Sequence, residues 1–280
     1  MQASVLETAE LYQEEVGRLR EGHLWSKMLL HGDENTLDNY RLDISRALEE
    51  WTTPRHRHTF DQIRYQLEGE LEYAKDKFLK PGWVGYFPEG IYYGPQVRPV
   101  GCSILLLQFG SCGRGGYMSK AQRKRGFEEL AEKGKFEKGI YTWLDDKGQR
   151  HNKEGYEAIY EHIMGHKADY SKPRYNELIT MNPEHYEWIP SDQPGVECKW
   201  LGTFTEREFK MGFIRVDAGA TLRVGGERAR EVLYLSSGAV AVDGVDYPVK
   251  SAFGTKPGEP PAAIKAKQAS EFFYVRLPRF

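Results

Sequence analysis

Short strand-length segments that end at glycine or proline constrain the fold of this chain more than any other feature. From Tyr40 to about Gly110, runs of alternating or apolar residues such as DQIRYQLEG and CSILLLQFG end at a glycine. The same pattern returns from about Tyr175, in segments such as KMGFIRVDAG and EFFYVRLP. Short strands with turn signals at regular spacing are typical of β-sandwiches and β-barrels. The sequence therefore predicts an all-β fold.

The two strand-rich regions share a repeated spacing. Six residues separate Gln62 from Gly69, and six residues separate Glu231 from Gly238; a strand-like segment follows each glycine. Glycine suits a tight turn between strands because it adopts positive φ without steric cost. The Asp-Gly pair at 243–244 is a further hairpin signal. The sequence therefore predicts two related β domains in one chain.

Two stretches have a different, charged character. Residues 4–22 place apolar side chains near helical spacing, which predicts a surface helix. Residues 113–174 include SKAQRKRGFEELAEKGKFEKG and KEGYEAIYEHIMGHK, which are helix-prone and are interrupted at Gly134. The predicted organisation is an N-terminal helical segment 1–27, a first β domain 28–112, a helical or irregular segment 113–174 and a second β domain 175–280.

Charge and hydropathy exclude several classes of protein. Lys and Arg number 39 while Asp and Glu number 41, a balance that does not support binding to nucleic acid or to an anionic membrane. No segment approaches the roughly 20 apolar residues of a membrane span, and the first residues lack an apolar signal core. Cys102, Cys112 and Cys198 lack metal-ligand spacing and are typical of reduced thiols. We expect a cytoplasmic protein whose partner is a small molecule.

The strongest chemical signal is the His-x-His pair at His56 and His58. On a strand, residues i and i+2 face the same side, so both imidazoles can converge on one metal ion. Gln62 has the same strand parity, and if it points into a barrel then Arg64 and Gln66 point there too. Arg64 could bind a carboxylate or oxyanion of a substrate, or it could pair with an internal acid.

These residues resemble the cupin family. Residues 56–69, His-x-His-x3-Gln-x6-Gly, resemble the first cupin motif, and residues 82–93, Gly-x5-Pro-Glu-Gly-x2-Tyr, resemble the second. The resemblance implies a bicupin: two double-stranded β-helix, or jelly-roll, barrels with an N-terminal helix and a helical inter-barrel segment. It also implies one divalent metal ion, either Fe, Mn, Ni, Cu or Zn, and a homodimer formed through edge strands.

The resemblance implies a metal site that departs from the usual one. Cupins usually use two His and a Glu from the first motif and a His from the second. His56 and His58 match, whereas Gln62 stands where the Glu is expected and Tyr93 where the last His is expected. Tyr93 could ligate as a phenolate, donate a proton or line the pocket. The other predicted pocket residues are Gln66, Tyr86 and Tyr92.

The second β domain lacks the imidazole pair. When the two regions are aligned on the repeated spacing, Gly225 and Glu227 occupy the positions of the two histidines. No histidine follows His185. The second barrel therefore has a predicted structural or dimer-contact role.

Three functions remain open at this point. The leading one is a metal-dependent cupin enzyme that oxidises a small organic substrate, aromatic or keto-acid, in a dioxygenase-type reaction. In it His56, His58 and Gln62 bind the metal, Arg64 orients the substrate, and Tyr93 is an acid/base group or fourth ligand. The second is a non-redox isomerase, cyclase or lyase in which Tyr93 is the acid/base group. The third is a non-catalytic bicupin that binds a small molecule.

Overall fold

The chain is mostly β-sheet, as the sequence predicts. The computed structural model describes residues 1–13, 23–34, 36, 37, 39–110 and 117–279. These residues divide between two compact units. The central unit comprises Leu11–Ser26 and Asp33–Thr180, and the terminal unit comprises Met1–Glu10, Lys27–Gly32 and Met181–Phe280.

The elements follow one another along the chain with short connections. The strands up to the end of the central unit are β1 Gln2–Val5, β2 Glu10–Gln13, β3 Leu24–His31, β4 Tyr40–Ala47, β5 Trp51–Thr53, β6 Asp61–Glu68, β7 Leu71–Ala74, β8 Lys77–Leu79, β9 Val84–Phe87, β10 Gln96–Arg98, β11 Ser103–Phe109, β12 Gly134–Glu137, β13 Ile140–Leu144, β14 Arg150–Glu154 and β15 Ile179–Met181. The α-helices are α1 Lys120–Ala131 and α2 Gly155–Met164. A 3-10 turn at Pro183–His185 precedes the later strands, which are β16 Ile189–Pro190, β17 Val196–Phe204, β18 Phe209–Val216, β19 Thr221–Val224, β20 Glu231–Ser237, β21 Val240–Val242, β22 Val245–Tyr247, β23 Ser251–Gly254, β24 Ala262–Ala266 and β25 Ser270–Arg276.

Two sheets frame the central unit. Strands β9, β6, β11 and β4 lie side by side in that order within the larger sheet, and β5, β10, β7 and β8 form a four-stranded sheet. In the larger sheet, β11 pairs antiparallel with β6 on one side and with β4 on the other. The strand order therefore brings residues that are far apart in sequence into one continuous surface.

One face of this larger sheet is unusually polar. In β4, Arg41, Asp43 and Ser45 alternate with Leu42 and Ile44, and all five are buried. Because alternate residues of a strand share a face, the apolar set packs on one side and the polar set lies on the other. Strand β6 follows the same rule, with its polar set at Gln62, Arg64 and Gln66.

The terminal unit has a corresponding pair of sheets with an apolar interior. Its larger sheet has the order β1-β23-β20-β25-β18-β17-β16, and its smaller sheet has the order β19-β24-β21-β22. Inward-facing residues of both sheets form one hydrophobic cluster, which includes Leu233, Leu235, Phe253 and Phe272. All four of these side chains are 0% exposed.

The predicted repeat and hairpin are present. Gly69 and Gly238 end β6 and β20 with φ of 67° and 89°, so each supplies the positive φ that the tight turn requires. Val242 and Val245 face each other across the two-residue turn at 243–244. Both turn residues have positive φ, as a type I′ hairpin turn requires.

The predicted N-terminal helix is wrong over the residues that the structure describes. Gln2–Val5 and Glu10–Gln13 are strands, and residues 14–22 lie outside the described ranges. Strand β1 pairs antiparallel with β23 over Gln2–Val5. Since a short isolated helix is marginal in water, pairing with a sheet edge outweighs the local helical pattern here.

The predicted helical or irregular segment contains both helices. Helix α1 begins at a capping box formed by Ser119 and Gln122, and β12 starts at the predicted break, Gly134. Helix α2 ends at Gly165, whose left-handed conformation closes the helix. Between them β12, β13 and β14 form an antiparallel sheet, so part of this segment is strand and not helix. In the described part of the chain, neither helix has the length and apolar composition needed to cross a membrane.

Candidate functional site

A cavity of about 490 Å³ lies inside the central unit. Its wall combines the polar face of β4, β6 and β11 with β10 and with residues between β5 and β6. Residues of α1 and Tyr156 of α2 also line it. Ligand pockets of folded proteins are commonly about 300–1,000 Å³. The cavity therefore has room for a small organic molecule, and the segment between the two strand-rich regions contributes to its wall.

His56 and His58 line this cavity side by side. Their ring centroids are 4.9 Å apart, and the rings are nearly perpendicular. The His-x-His pair does not lie on a strand, as the parity argument assumed, but in the connection between β5 and β6. An isolated β-bridge between His56 and Tyr93 holds this connection. The prediction that the two imidazoles converge is confirmed, although backbone pairing achieves it and not strand parity.

Hydrogen bonding fixes the tautomer of one imidazole. His56 Nδ1 lies 2.7 Å from the carbonyl oxygen of Pro54. A carbonyl oxygen only accepts, so Nδ1 carries the proton and Nε2 carries the lone pair. Metal-binding histidines are commonly oriented by such a bond from the other ring nitrogen.

Gln62, Arg64 and Tyr93 form a hydrogen-bonded cluster beside the histidines. Gln62 Nε2 donates to the Tyr93 hydroxyl at 2.7 Å, and an Arg64 Nη donates to the same oxygen at 3.3 Å. Gln62 Oε1 accepts from Gln108 Nε2 at 3.0 Å and from Arg64 at 3.4 Å. The amide of Gln62 is therefore engaged with protein groups. Its predicted role as a metal ligand would require this network to rearrange.

Tyr93 is 3% exposed and lies just outside the cavity lining. Its ring contacts the rings of His56 and Phe87, with centroid distances of 4.5 and 5.1 Å. Its hydroxyl meets the cavity wall through Gln62 and Arg64. In this arrangement Tyr93 positions two lining side chains, and its predicted acid/base role stays a prediction.

Arg64 is a buried cation in the cavity wall. It is 6% exposed, and its guanidinium carbon lies 4.1 Å from the centre of the Phe87 ring. Burial lowers the pKa of Arg64, and the Tyr93 oxygen opposes that shift. In the described part of the chain no carboxylate pairs with Arg64, and its Nε has no hydrogen-bond partner. Of the two predicted roles, binding a ligand anion fits this environment and pairing with an internal acid does not.

Positive charge dominates the whole cavity wall. The described lining residues include a single carboxylate, Glu128 on α1, against six cations, which are Arg41, Arg64, Arg98, Lys120, Arg123 and Lys124. Such an excess of one sign in a cavity with low-dielectric walls attracts ligands of the opposite sign. The electrostatics therefore favour an anionic ligand.

Three predicted pocket residues do not reach the cavity wall. Gln66 donates to the carbonyl oxygens of Glu68 and Gly69 and to Cys102 Sγ, so it closes the end of β6. The Tyr92 side chain points outwards with 49% of its surface exposed.

Tyr86 is directed to the other face of the sheet. Its hydroxyl donates to Asp61 Oδ1 at 3.1 Å, and the backbone N–H of Glu89 donates to the same oxygen. Burial, followed by the charge of Glu89, raises the pKa of Asp61 to about 7. Tyr86 thus belongs to a buried carboxyl cluster and not to the pocket.

The sequence reasoning missed several lining residues. Tyr156 presents a buried hydroxyl that has no hydrogen-bond partner among the described residues, and burial raises its pKa well above the usual range, so it remains a proton donor. Gln96 is 0% exposed, and neither amide atom has a partner there. The alternation in β4 was a usable signal for Arg41, but nothing local marks Tyr156 or Lys120, which arrive on helices.

Two imidazoles in this geometry fit one divalent ion. A ligand nitrogen lies about 2.1 Å from zinc, which places each ring centre about 3.2 Å from the ion and two such centres roughly 4.5–5.2 Å apart. The observed separation of 4.9 Å falls in that range. The described residues contain no group of three or more His, Cys, Asp or Glu side chains that could hold a metal. The protein would therefore supply few ligands, and substrate or water would supply the others.

Comparison with solved structures identifies the fold. A candidate dioxygenase from Nostoc punctiforme has a TM-score of 0.64 at 14% identity, covering 99% of this chain and 82% of that one. A mutant of oxalate decarboxylase from Bacillus subtilis has a TM-score of 0.56 at 12% identity, covering 100% and 78%. A protein from Geobacillus kaustophilus has a TM-score of 0.51 at 14% identity, covering 99% and 95%.

Neither a protein-family model nor a curated protein sequence matches this chain. At such low identity, the structural likeness confirms the predicted cupin fold alone. The chemistry has to be argued from the site of this chain.

Proposed function

We propose that this protein is a metal-dependent enzyme of cupin fold that acts on a small anionic organic molecule in a dioxygenase-type reaction. The observation that carries the proposal is the imidazole pair at the wall of a cavity with six cations and one carboxylate. The structural neighbours include a candidate dioxygenase and an oxalate decarboxylase, which supports an enzymatic role for the fold.

The two units are proposed to be two cupin barrels with different tasks. The central unit has the imidazole pair and the polar cavity. In the terminal unit, the matching region packs leucine and phenylalanine side chains against one another. The central barrel is therefore assigned the active site, and the terminal barrel a structural role.

In the proposed site, His56 and His58 hold the metal. A bound divalent metal would polarise the substrate as a Lewis acid and, if redox-active, would exchange electrons with dioxygen. Two neutral imidazoles leave the charge of such an ion uncompensated, and Arg64 adds to it. An anionic substrate would balance this charge, whereas a neutral one would not.

The remaining residues bind and orient the substrate. Arg64 binds a substrate carboxylate by charge-assisted hydrogen bonds. Tyr93 and Gln62 hold the guanidinium in place, since the hydroxyl and the amide oxygen both accept from it. Tyr156 closes the cavity beside His58, and the two rings meet edge to face with centroids 5.6 Å apart. These contacts limit the access of water to the bound substrate.

Elemental analysis and oxygen uptake test this proposal. Purified protein should contain about one equivalent of a divalent metal, and the double variant His56→Ala/His58→Ala should contain none. A panel of aromatic and keto acids should include one whose addition starts oxygen uptake, and that uptake should be absent in the double variant. Native protein that neither contains nor takes up metal would overturn the metal-dependent reaction.

A second candidate is a non-redox isomerase or lyase that works by proton transfer. The small set of His, Cys, Asp and Glu side chains near the cavity favours it. An imidazole of His56 or His58 would then exchange the proton, while Arg64 binds the carboxylate as before. Turnover of an acid from the panel that continues under nitrogen, without metal, would select this candidate over the oxidative one.

A further inference from the structure

Two separate groups of buried cations line the cavity. Arg64 lies on β6, whereas Arg41 lies on β4 and Lys120 begins α1. All three side chains are at least nine-tenths buried, with exposed fractions of 6%, 7% and 8%. Burying a cation is unfavourable unless an anion or several acceptors compensate for the lost hydration.

Strand β11 separates the two groups. Leu106 of β11 pairs with Arg64 on one side and with Asp43 on the other. Neighbouring strands are about 4.8 Å apart, so the backbones of β6 and β4 are roughly 10 Å apart across β11. Since both groups line the same cavity, one elongated molecule inside it can meet both.

The protein neutralises this charge only in part. Asp43 is 1% exposed, and its Oδ2 lies 2.8 Å from Arg41 Nε and 3.3 Å from Lys120 Nζ. One carboxylate thus faces two cations, and one positive charge is left over on that side. Arg64 leaves a second positive charge on the other side, where the described residues supply no carboxylate.

Aromatic side chains complete the wall of the cavity. Trp51, Phe60 and Phe127 line it together with Tyr156. The Phe60 ring stacks on His58 with centroids 4.5 Å apart. Such a wall suits an apolar or aromatic body that carries its charges on its periphery.

We propose that the ligand of this cavity is a dianionic acid, with one anionic group bound by Arg64 and a second bound by Arg41 and Lys120 on the other side of β11. The proposal deepens the proposed function, because it rests on this cavity being the substrate site. It assigns recognition roles to Arg41 and Lys120, neither of which belongs to the cupin motifs.

Calorimetric titration of the purified protein tests the ligand class with pairs of probes of matched size. Adipate is compared with hexanoate, and isophthalate with benzoate. A second charge-assisted contact is worth about 1.5–3 kcal/mol, so each diacid should bind at least about tenfold more tightly than its monoacid.

Variants assign the second anionic group to its residues. Lys120→Met keeps the alkyl stem and the Arg41–Asp43 ion pair; it should weaken adipate binding about tenfold and change hexanoate binding less than about threefold. Arg125→Gln removes the same charge from α1 outside the cavity lining and should change neither. Arg41→Gln should reproduce the Lys120→Met pattern, and circular dichroism establishes that each variant is folded.

Specific outcomes would overturn the inference. They are diacids that bind no more tightly than monoacids, diacids that do not bind at all, and a Lys120→Met variant that weakens both probes equally. Failure of the proposed function gives a different result, because a diacid that binds with the expected variant pattern but is never turned over leaves the inference standing.

Discussion

The interiors of the two units differ although their backbones repeat. When the sequences are aligned on the shared glycine, Gln62, Arg64 and Gln66 of β6 correspond to Glu231, Leu233 and Leu235 of β20. Arg64 borders a cavity, whereas Leu233 is 0% exposed within an apolar cluster. A sheet of this kind accepts either solution, because side chains that project from one face can be exchanged without altering the hydrogen bonding of the strands.

Glu231 shows how the terminal unit retains one polar residue without forming a site. Its Oε1 accepts from the Tyr274 hydroxyl at 2.7 Å, and its Oε2 accepts from the backbone N–H of Gly225. Both oxygens are thereby satisfied by the protein. Gln62 also bonds to protein groups, but those groups are themselves cavity-lining or positioning residues. The comparison separates a polar residue that closes a barrel from one that supports a binding site.

The largest expected effect comes from carrying the central residue into the terminal unit. Leu233→Arg places an unpaired charge among fully buried apolar side chains and should cost roughly 4 kcal/mol or more of unfolding free energy. Chemical denaturation with intrinsic fluorescence measures this change. A loss below about 1 kcal/mol would show that the terminal interior is less well packed than its burial indicates.

The reciprocal change tests the central unit. Arg64→Leu removes a buried cation that has no carboxylate partner among the described residues, so stability should stay within about 1 kcal/mol of the native value or increase. Binding of an anionic ligand should fall by about tenfold or more, because a charge-assisted contact is lost. Denaturation and calorimetry on the same preparation measure both. Strong destabilisation would mean that Arg64 is structural.

The residues that precede these two strands differ in their response to pH. Asp61 precedes Gln62, where the terminal unit has Arg230. The folded pKa of Asp61 is raised to about 7, so the folded state holds the proton more tightly than the unfolded chain does. Stability from this carboxyl is present below the unfolded pKa and is lost as pH rises towards 7, with a slope of up to about 1.4 kcal/mol per pH unit.

Asp61→Asn should remove that slope, because the amide keeps an oxygen for Tyr86 and for the Glu89 N–H. Denaturation midpoints between pH 4 and pH 8 measure the effect. Parallel pH profiles for the native protein and the variant would contradict the assignment.

The smallest effect concerns Tyr93. If it only positions Gln62 and Arg64, Tyr93→Phe should raise KM for the anionic substrate several-fold and leave kcat within about threefold. An acid/base role would instead lower kcat by about a hundredfold or more. Steady-state kinetics with a substrate found in the acid panel distinguish the two results.

Sequence reasoning succeeded where spacing along the chain determines position. The cupin motifs placed His56 and His58 together, and strand parity placed Gln62 and Arg64 on one face, as the structure confirms. The same parity failed for Gln66, because at the end of β6 the side chain folds back onto nearby carbonyls.

The remaining features depend on contacts that no local pattern specifies. Arg41 and Lys120 meet at Asp43 only because β4 pairs with β11 and the start of α1 returns to the same place. The N-terminal strands were mistaken for helix because a sheet edge supplied by residues 251–254 decides their structure. Both are consequences of long-range register, which cannot be deduced from composition or periodicity.

That first strand also bears on how the protein is made. Residues 33–180 of the central unit are continuous in sequence and leave the ribosome together, so their sheets can assemble while synthesis continues. Gln2–Val5 pairs with Ser251–Gly254, and this ladder cannot close until almost the whole chain has been translated. During that interval the earliest residues wait without their partner, and contacts of such high sequence separation form slowly. The last folding step thus joins the first and the last parts of the chain.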